Sequence, residues 1–281
     1  MFMDFAVRKL SKFTNHIKLY YPLTYYIIMD KRRVVNGIEV YAGANLKGVK
    51  LTNSDLKNMD LDGINFEGAD LSGSNFGGSS LKHANFCGAN LHDAYLEGLK
   101  DDSTKGSRII DISHADFTGA NLFWAKLRRA NAEGAKFNKA NMIESTASKT
   151  NFNKADFTEA NLTDARLDWC DLIEANFTGA NLKSVDLHDS DLTDANLSHA
   201  KLNSRANLSH AILDGTLLDG TNLGGADYTK ALYDSSTFHD PRCPEGYEYV
   251  KGYYYRGVKT KPYCRKKGTR FLSGEKVPPL F

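Results

Sequence analysis

Cysteine, proline and long apolar runs are all scarce in this chain, and each scarcity excludes a class. Four Cys in 281 residues exclude a dense disulfide framework. Six Pro and 23 Gly exclude collagen-like and Pro-rich disordered chains. The run Leu19 to Met29 has eleven residues and is interrupted by Pro22, too short for a membrane span. The opening MFMDFAVRKLSKF has neither a long apolar core nor a small-residue cleavage site, so the expectation is a soluble, intracellular, cytoplasmic protein. Nucleophile elbow, P-loop and dinucleotide fingerprint are missing. The eight His lack paired ligand spacing, so no metal or cofactor site is expected. What remains is an ordinary globular balance, 41% hydrophobic and 25% charged.

The middle of the chain repeats itself every five residues. Large apolar residues fall at Leu46, Leu51, Leu56, Leu61, Phe66 and onward to Leu96. The register breaks over about 97–111, resumes one residue out of phase at Ile112, and runs to Leu202. A single inserted residue near Ser204–Arg205 shifts it again, and the last stretch passes through Leu208, Leu213, Leu218, Leu223 and Tyr228. A small residue sits two positions before the large one, as at Ala69, Ala120 and Ala180, and Asn or Asp often sits one before, as at Asp70, Asn121 and Asn181. The unit reads A-(D/N)-L-X-X, with 37 copies.

A period of five fits neither the helical 3.6 nor the strand period of 2. Two inward residues in five, one small and one large, suit a chain that turns a corner at every repeat. Asn and Asp beside that corner bond their own backbone and tolerate unusual φ. A second period of 20 is present: Phe117, Phe137, Phe157 and Phe177 recur, as do Asn121, Asn141, Asn161 and Asn181. Four repeats per turn would stack these side chains on themselves along an axis.

The repeat is similar to that of the pentapeptide-repeat proteins, over about 200 of the 281 residues. The resemblance implies an all-β, right-handed quadrilateral β-helix. Roughly nine coils at about 4.8 Å would make a rod about 45 Å long, with ends that need caps.

The expected organisation has three parts. Residues 1–43 form an N-terminal cap: an amphipathic helix over 2–20, with Phe2, Ala6, Leu10, Phe13, Ile17 and Tyr20 on one face and Arg8, Lys9, Lys12 and Lys18 on the other, then a hairpin turning at Asn36-Gly37. The basic face of 2–20 also suits peripheral contact with an anionic membrane. Residues 44–240 form the solenoid, with a loop at about 97–111. Residues 241–281 form a basic, Tyr-rich β unit framed by Cys243 and Cys264, which an oxidising compartment would let join as a disulfide. Its CPEGY and PYC elements are loosely similar to short Cys-framed segments in proteins of large DNA viruses.

Charge is unevenly spread. Residues 41–240 carry 28 acidic and 19 basic side chains, while 241–281 carry 3 and 10. The acid is densest from Asp156 to Asp194, and the candidate partner-binding residues there are Asp164, Asp168, Asp171, Glu174, Asp186, Asp189, Asp191 and Asp194. Candidate contacts in the tail are Lys251, Arg256, Lys259, Lys261, Arg265, Lys266 and Lys267, interleaved with Tyr. Such a mix suits phosphate contact and base stacking, or an acidic protein surface.

A convex rod offers no cleft for a catalytic carboxylate pair. The expected function is therefore non-enzymatic: a rigid scaffold for protein partners or self-assembly, with no small-molecule substrate, and a minor capsid or assembly component if the chain is viral. The family resemblance implies one alternative, since some of its members resemble duplex DNA in width and negative surface and bind DNA gyrase or topoisomerase. Those usually dimerise through an apolar C-terminal helix, whereas this chain ends in a basic tail. Nucleic-acid binding through that tail is the third reading.

Overall fold

The computed structural model describes residues 32–98, 109–203 and, between 205 and 232, all but 219, 222, 224, 225 and 230, together with the backbone of four short strands between 247 and 266. The expected helix over 2–20 and most of the loop near 97–111 lie outside the described residues.

From Ala44 onward each five-residue unit solves the same hydrogen-bonding problem. Around Phe66, the Asn65 N–H donates to Ala44 O at 2.9 Å in the coil before, and the N–H groups of Phe66 and Gly68 donate to Asn85 O and Cys87 O in the coil after, at 2.7 and 2.9 Å. The Ala69 N–H closes the turn onto Phe66 O at 2.9 Å. One donor is left, the N–H of Glu67, and the Asn65 side chain accepts it at 3.0 Å. All five N–H groups are thereby satisfied, as buried and half-buried backbone requires.

This arrangement corrects one expectation. The Asn or Asp before the large residue does bond its own backbone, but it does not carry the unusual φ. The left-handed conformation falls three residues later, at Gly68 (φ 63), Trp124 (φ 59), Arg129 (φ 58) and Trp169 (φ 59). That residue is the third of the four-residue turn, where a type II-like turn needs positive φ.

Parallel bridges link residues 20 apart, such as Asn45 to Asn65 and Asn121 to Asn141, so four units make one coil. Between Ser80 and Asp111 the step is 31, and between Asp186 and Asn207 it is 21. The first difference is eleven additional residues between Leu96 and Ile110. The second is the single residue inserted near Arg205. Neither disturbs the ladder on either side.

Four outward faces result. The first is centred on bridges running from Asn45 to Leu217, the second from Lys50 to Lys201, the third from Asp55 through Tyr95, Lys126, Thr146, Arg166 and Asp186 to Asp227, and the fourth from Asp60 to Leu232. Nine rungs on the first face, at about 4.8 Å each, give about 38 Å of rod.

The interior is built from the two inward positions. Phe66, Phe86, Phe117, Phe137, Phe157 and Phe177 stack in one column, with neighbouring centroids 4.7–5.5 Å apart. Phe76 and Phe152 meet this column edge-on. Several inward small residues carry a hydroxyl that bonds inside. Ser190 Oγ accepts from Cys170 N at 3.0 Å and donates to Leu167 O at 2.7 Å.

Before the first coil, strand β1 (Arg33–Val35) pairs antiparallel with β2 (Ile38–Val40). Asn36 (φ 51) and Gly37 (φ 81) make the tight turn between them. The hairpin is tied to the first coil by Asn36 Nδ2 donating to Ser54 Oγ at 2.9 Å, and Val40 is fully buried. Near the C-terminus, β3 (Tyr247–Val250) pairs with β6 (Tyr263–Lys266), and β4 (Tyr254–Tyr255) pairs with β5 (Val258–Lys259), both antiparallel. Among the described residues no helix is long and apolar enough to cross a membrane.

Candidate interaction surface

Most positions at the centres of the faces hold Asn, Asp, Ser or Thr. The third face and its two edges depart from this. On the edge shared with the second face, Phe123 and Trp124 stack at 4.7 Å, and His92 stacks on Phe123 at 5.5 Å. Trp124 Nε1 donates to Glu144 at 2.8 Å. On the opposite edge stands Trp169, with Lys149 Nζ 5.8 Å from its ring centre. Trp124 and Trp169 are 48% and 53% exposed, although both occupy positive-φ corners where a bulky residue is unusual.

Between these edges the third face changes sign along the rod. Lys126 lies 3.9 Å above the Tyr95 ring and bonds Asp93 at 2.7 Å. Burial would lower its pKa, but its hydrogen bonds to Asp93 and Tyr95 outweigh that and raise it. Arg128 and Arg129 on the same rung are exposed and enter no ion pair among the described residues. Three rungs on, Asp186 accepts from His188 Nδ1 at 2.8 Å, and Asp189 lies 3.9 Å from His188 Nε2. The bond to Asp186, against some burial, raises the His188 pKa.

The structure sorts the expected acidic residues rather than gathering them on one face. Asp186 and Asp189 share the third face and its edge. Asp171 and Asp191 occupy adjacent rungs of the fourth, with Glu174 and Asp194 at its far edge. Asp164 sits at the corner column of Trp124 and Glu144. Asp168 is withdrawn from partner contact: it is 8% exposed and accepts from Ser148 Oγ at 2.6 Å. In the tail, Lys259 pairs with Tyr254, Arg265 with Glu248 and Lys266 with Tyr247 in strand register, and Cys264 lies opposite Tyr249. Lys251, Arg256, Lys261, Lys267 and Cys243, and with it the Cys243–Cys264 pairing, lie outside the described residues.

Sequence reasoning passed over Phe123, Trp124 and Trp169. Their signal was available: an aromatic at the first or second position after the large residue breaks the polar pattern there. His83 and His114 stack at 5.2 Å across the inserted segment, a pairing hidden by their 31-residue separation. No group of three or more metal-binding side chains occurs among the described residues. Cys170 is buried and its thiol donates to Ala147 O at 3.0 Å, and burial pushes its pKa up. Burial and then Asp116 push the half-exposed Cys87 thiol up to about 11.

Two family models match. "Pentapeptide repeat region" covers residues 120–197, and "Pentapeptide repeats (8 copies)" covers 41–68, 64–98 and 204–231. No curated protein matches. Among solved structures, a trypsin-treated QnrB1, a plasmid-mediated fluoroquinolone resistance protein, is 25% identical, with 70% of this chain and 92% of that one covered and a TM-score of 0.50. HetL, a pentapeptide repeat protein involved in heterocyst differentiation regulation in the cyanobacterium Nostoc sp. strain PCC 7120, is 27% identical, with 75% and 90% covered and a TM-score of 0.38. The family models, the four-unit coil and the likeness to QnrB1 agree: the chain belongs to the pentapeptide-repeat family and folds as its right-handed β-helix.

Proposed function

We propose that this chain is a non-enzymatic β-solenoid that works as a protein-interaction scaffold, with the third face as its recognition surface. The observation that carries this reading is the pair of half-exposed tryptophans, Trp124 and Trp169, held at positive-φ corners on the two edges of one face. A bulky side chain in that conformation costs on the order of 1 kcal/mol or more. Farther along the same corner columns the position is held by Gly73 (φ 67) and Gly78 (φ 70). Trp, Tyr and Arg are also the residues that dominate binding energy at protein interfaces; Tyr95 lies between the two edges, and Arg128 and Arg129 stand on the edge of Trp169.

The test is capture from the native source with the full chain and with a Trp124→Gly/Trp169→Gly variant. Proteins retained by the native chain and lost by a folded variant support the reading. Identical retained sets overturn it.

The likeness to QnrB1 favours a second reading, a duplex-mimicking inhibitor of DNA gyrase or topoisomerase. The Lys126, Arg128 and Arg129 belt argues against it, because a duplex mimic should be negative along its length. Inhibition of supercoiling, abolished by charge reversal at Asp164, Asp186 and Asp189, would put this reading first. Asp168 is left out of that set because its burial would confound the result. The proposal of a capsid or assembly role rests on the Cys-framed tail segment, and that of nucleic-acid binding on the basic tail; loss of salt-dependent DNA retention on removing 241–281 would support the latter.

A further inference from the structure

We propose that the third face docks a second copy of this chain, antiparallel, about a two-fold axis passing between the rungs of Thr146 and Arg166. The inference rests on the reading of this face as an interaction surface and names the partner.

A two-fold axis lying in the interface and perpendicular to the rods reverses the order of rungs but keeps each edge against the same edge of its mate. The rung of Lys126, Arg128 and Arg129 then meets the rung of Asp186, His188 and Asp189. Lys126 and Asp186 both occupy the centre of the face. Arg129 (φ 58) and Asp189 (φ 55) both occupy the same corner column. Lys126 therefore falls opposite Asp186 and Arg129 opposite Asp189, twice over by symmetry, while Arg128 falls opposite His188. One rung nearer the axis, Lys149 meets Trp169 of the other copy, repeating the cation–π contact that these residues make within one chain. At the other edge Glu144, which faces Asp164 across the axis, is already held by Trp124 Nε1 at 2.8 Å.

A second solenoid with the same rise, about 4.8 Å per rung, keeps such pairings aligned over many rungs. A partner built on helices at 1.5 Å per residue would fall out of step. Arg129, exposed and without an ion pair among the described residues, is the cation with most to gain.

The experiment is sedimentation equilibrium of the full chain and three variants over a wide concentration range, with circular dichroism to confirm that each is folded. The exchanged types already stand at positive-φ corners of this chain, Glu144 and Arg129, so the coil accommodates them. The native chain is expected to dimerise, more weakly as salt rises. Arg129→Glu alone and Asp189→Arg alone should each weaken the dimer by about tenfold or more. Mixing these two variants should restore association as a heterodimer, and the chain carrying both substitutions should dimerise with itself. A native chain that stays monomeric, or a dimer indifferent to the swaps and their mixing, overturns the proposal. If the chain is monomeric while protein capture still depends on Trp124 and Trp169, self-docking alone fails. If capture is also indifferent, the interaction reading fails with it.

Discussion

At the scale of single residues, the outward Asn or Asp before each large residue is a backbone acceptor more than a surface group. Asp116 accepts the Thr118 N–H at 2.9 Å. Asp116→Ala should cost about 1 kcal/mol by leaving that donor half-buried and unpaired, whereas Asp116→Asn keeps the acceptor and should change little, as read by urea unfolding. Burial alone would raise the pKa of Asp70, Asp111, Asp116 and Asp156, but their hydrogen bonds to neighbouring Ser or Thr and other polar groups outweigh it and hold each below the ordinary value. Depressed in the folded state, they stabilise above about pH 4, and that contribution is lost as pH falls through the folded values. His188, raised by Asp186, has the opposite sign: its contribution is complete below about pH 6.5 and disappears as pH rises through the folded value. Thermal melts from neutral to acid pH should therefore fall steeply at the acid end, and Asp116→Asn should flatten part of that fall.

Buried hydroxyls give a second test at this scale. Ser145 Oγ is buried without a partner, while Ser190 Oγ both accepts and donates. Ser145→Ala should be neutral or stabilising, and Ser190→Ala should cost about 1–2 kcal/mol. A reversed order would contradict the hydrogen-bonding scheme.

At the scale of the coil, the ladder of six phenylalanines and the regular bridges show a structure that tolerates interruption at corners but not in its core. Phe137 stacks on Phe117 and Phe157 at 5.0 Å on either side and is fully buried. Phe137→Ala should cost about 3–5 kcal/mol, and Phe137→Leu distinctly less. The segment after Gly98 adds eleven residues to an otherwise 20-residue step. Removing 99–109 should join Gly98 to Ile110 in the register of an ordinary corner, and the shortened chain should fold with a melting temperature within a few degrees of the native one. Loss of folding would show that the segment holds the wall together.

The coil was legible in the sequence because inward positions tolerate so little: period five marks the corners, and period 20 marks the stacking of Phe117, Phe137, Phe157 and Phe177. The position of the left-handed residue was not, because Lys, Glu, Trp and Arg occupy it alongside Gly and Asn. Only the backbone shows which of the five residues closes the turn.

At the scale of the whole molecule, the sequence shows charge as a profile along the chain, while the coil deals that profile onto four faces. Asp164 and Asp168 are four residues apart, yet one stands at an exposed corner and the other is buried beneath Ser148. Arg129 and Asp189 are 60 residues apart and share one column. The interaction face was therefore hidden in a linear count, although Phe123 and Trp124 stood out as residues that the repeat does not call for. If those tryptophans serve binding rather than folding, Trp124→Gly should leave stability unchanged or raise it by up to about 1 kcal/mol, since it relieves a bulky residue at positive φ. Clear destabilisation would make Trp124 a structural residue.

Trp124 and Trp169 are the chain's two tryptophans, and both border the third face. Tryptophan emission therefore reports on the two edges of that face. The most direct measurement is acrylamide quenching of this emission as the full chain is concentrated from dilute solution. Covering of the third face predicts strong quenching when dilute and progressive protection as molecules associate, reversed by Arg129→Glu. Quenching that stays constant while the chain associates, or at every concentration reached, would contradict the account.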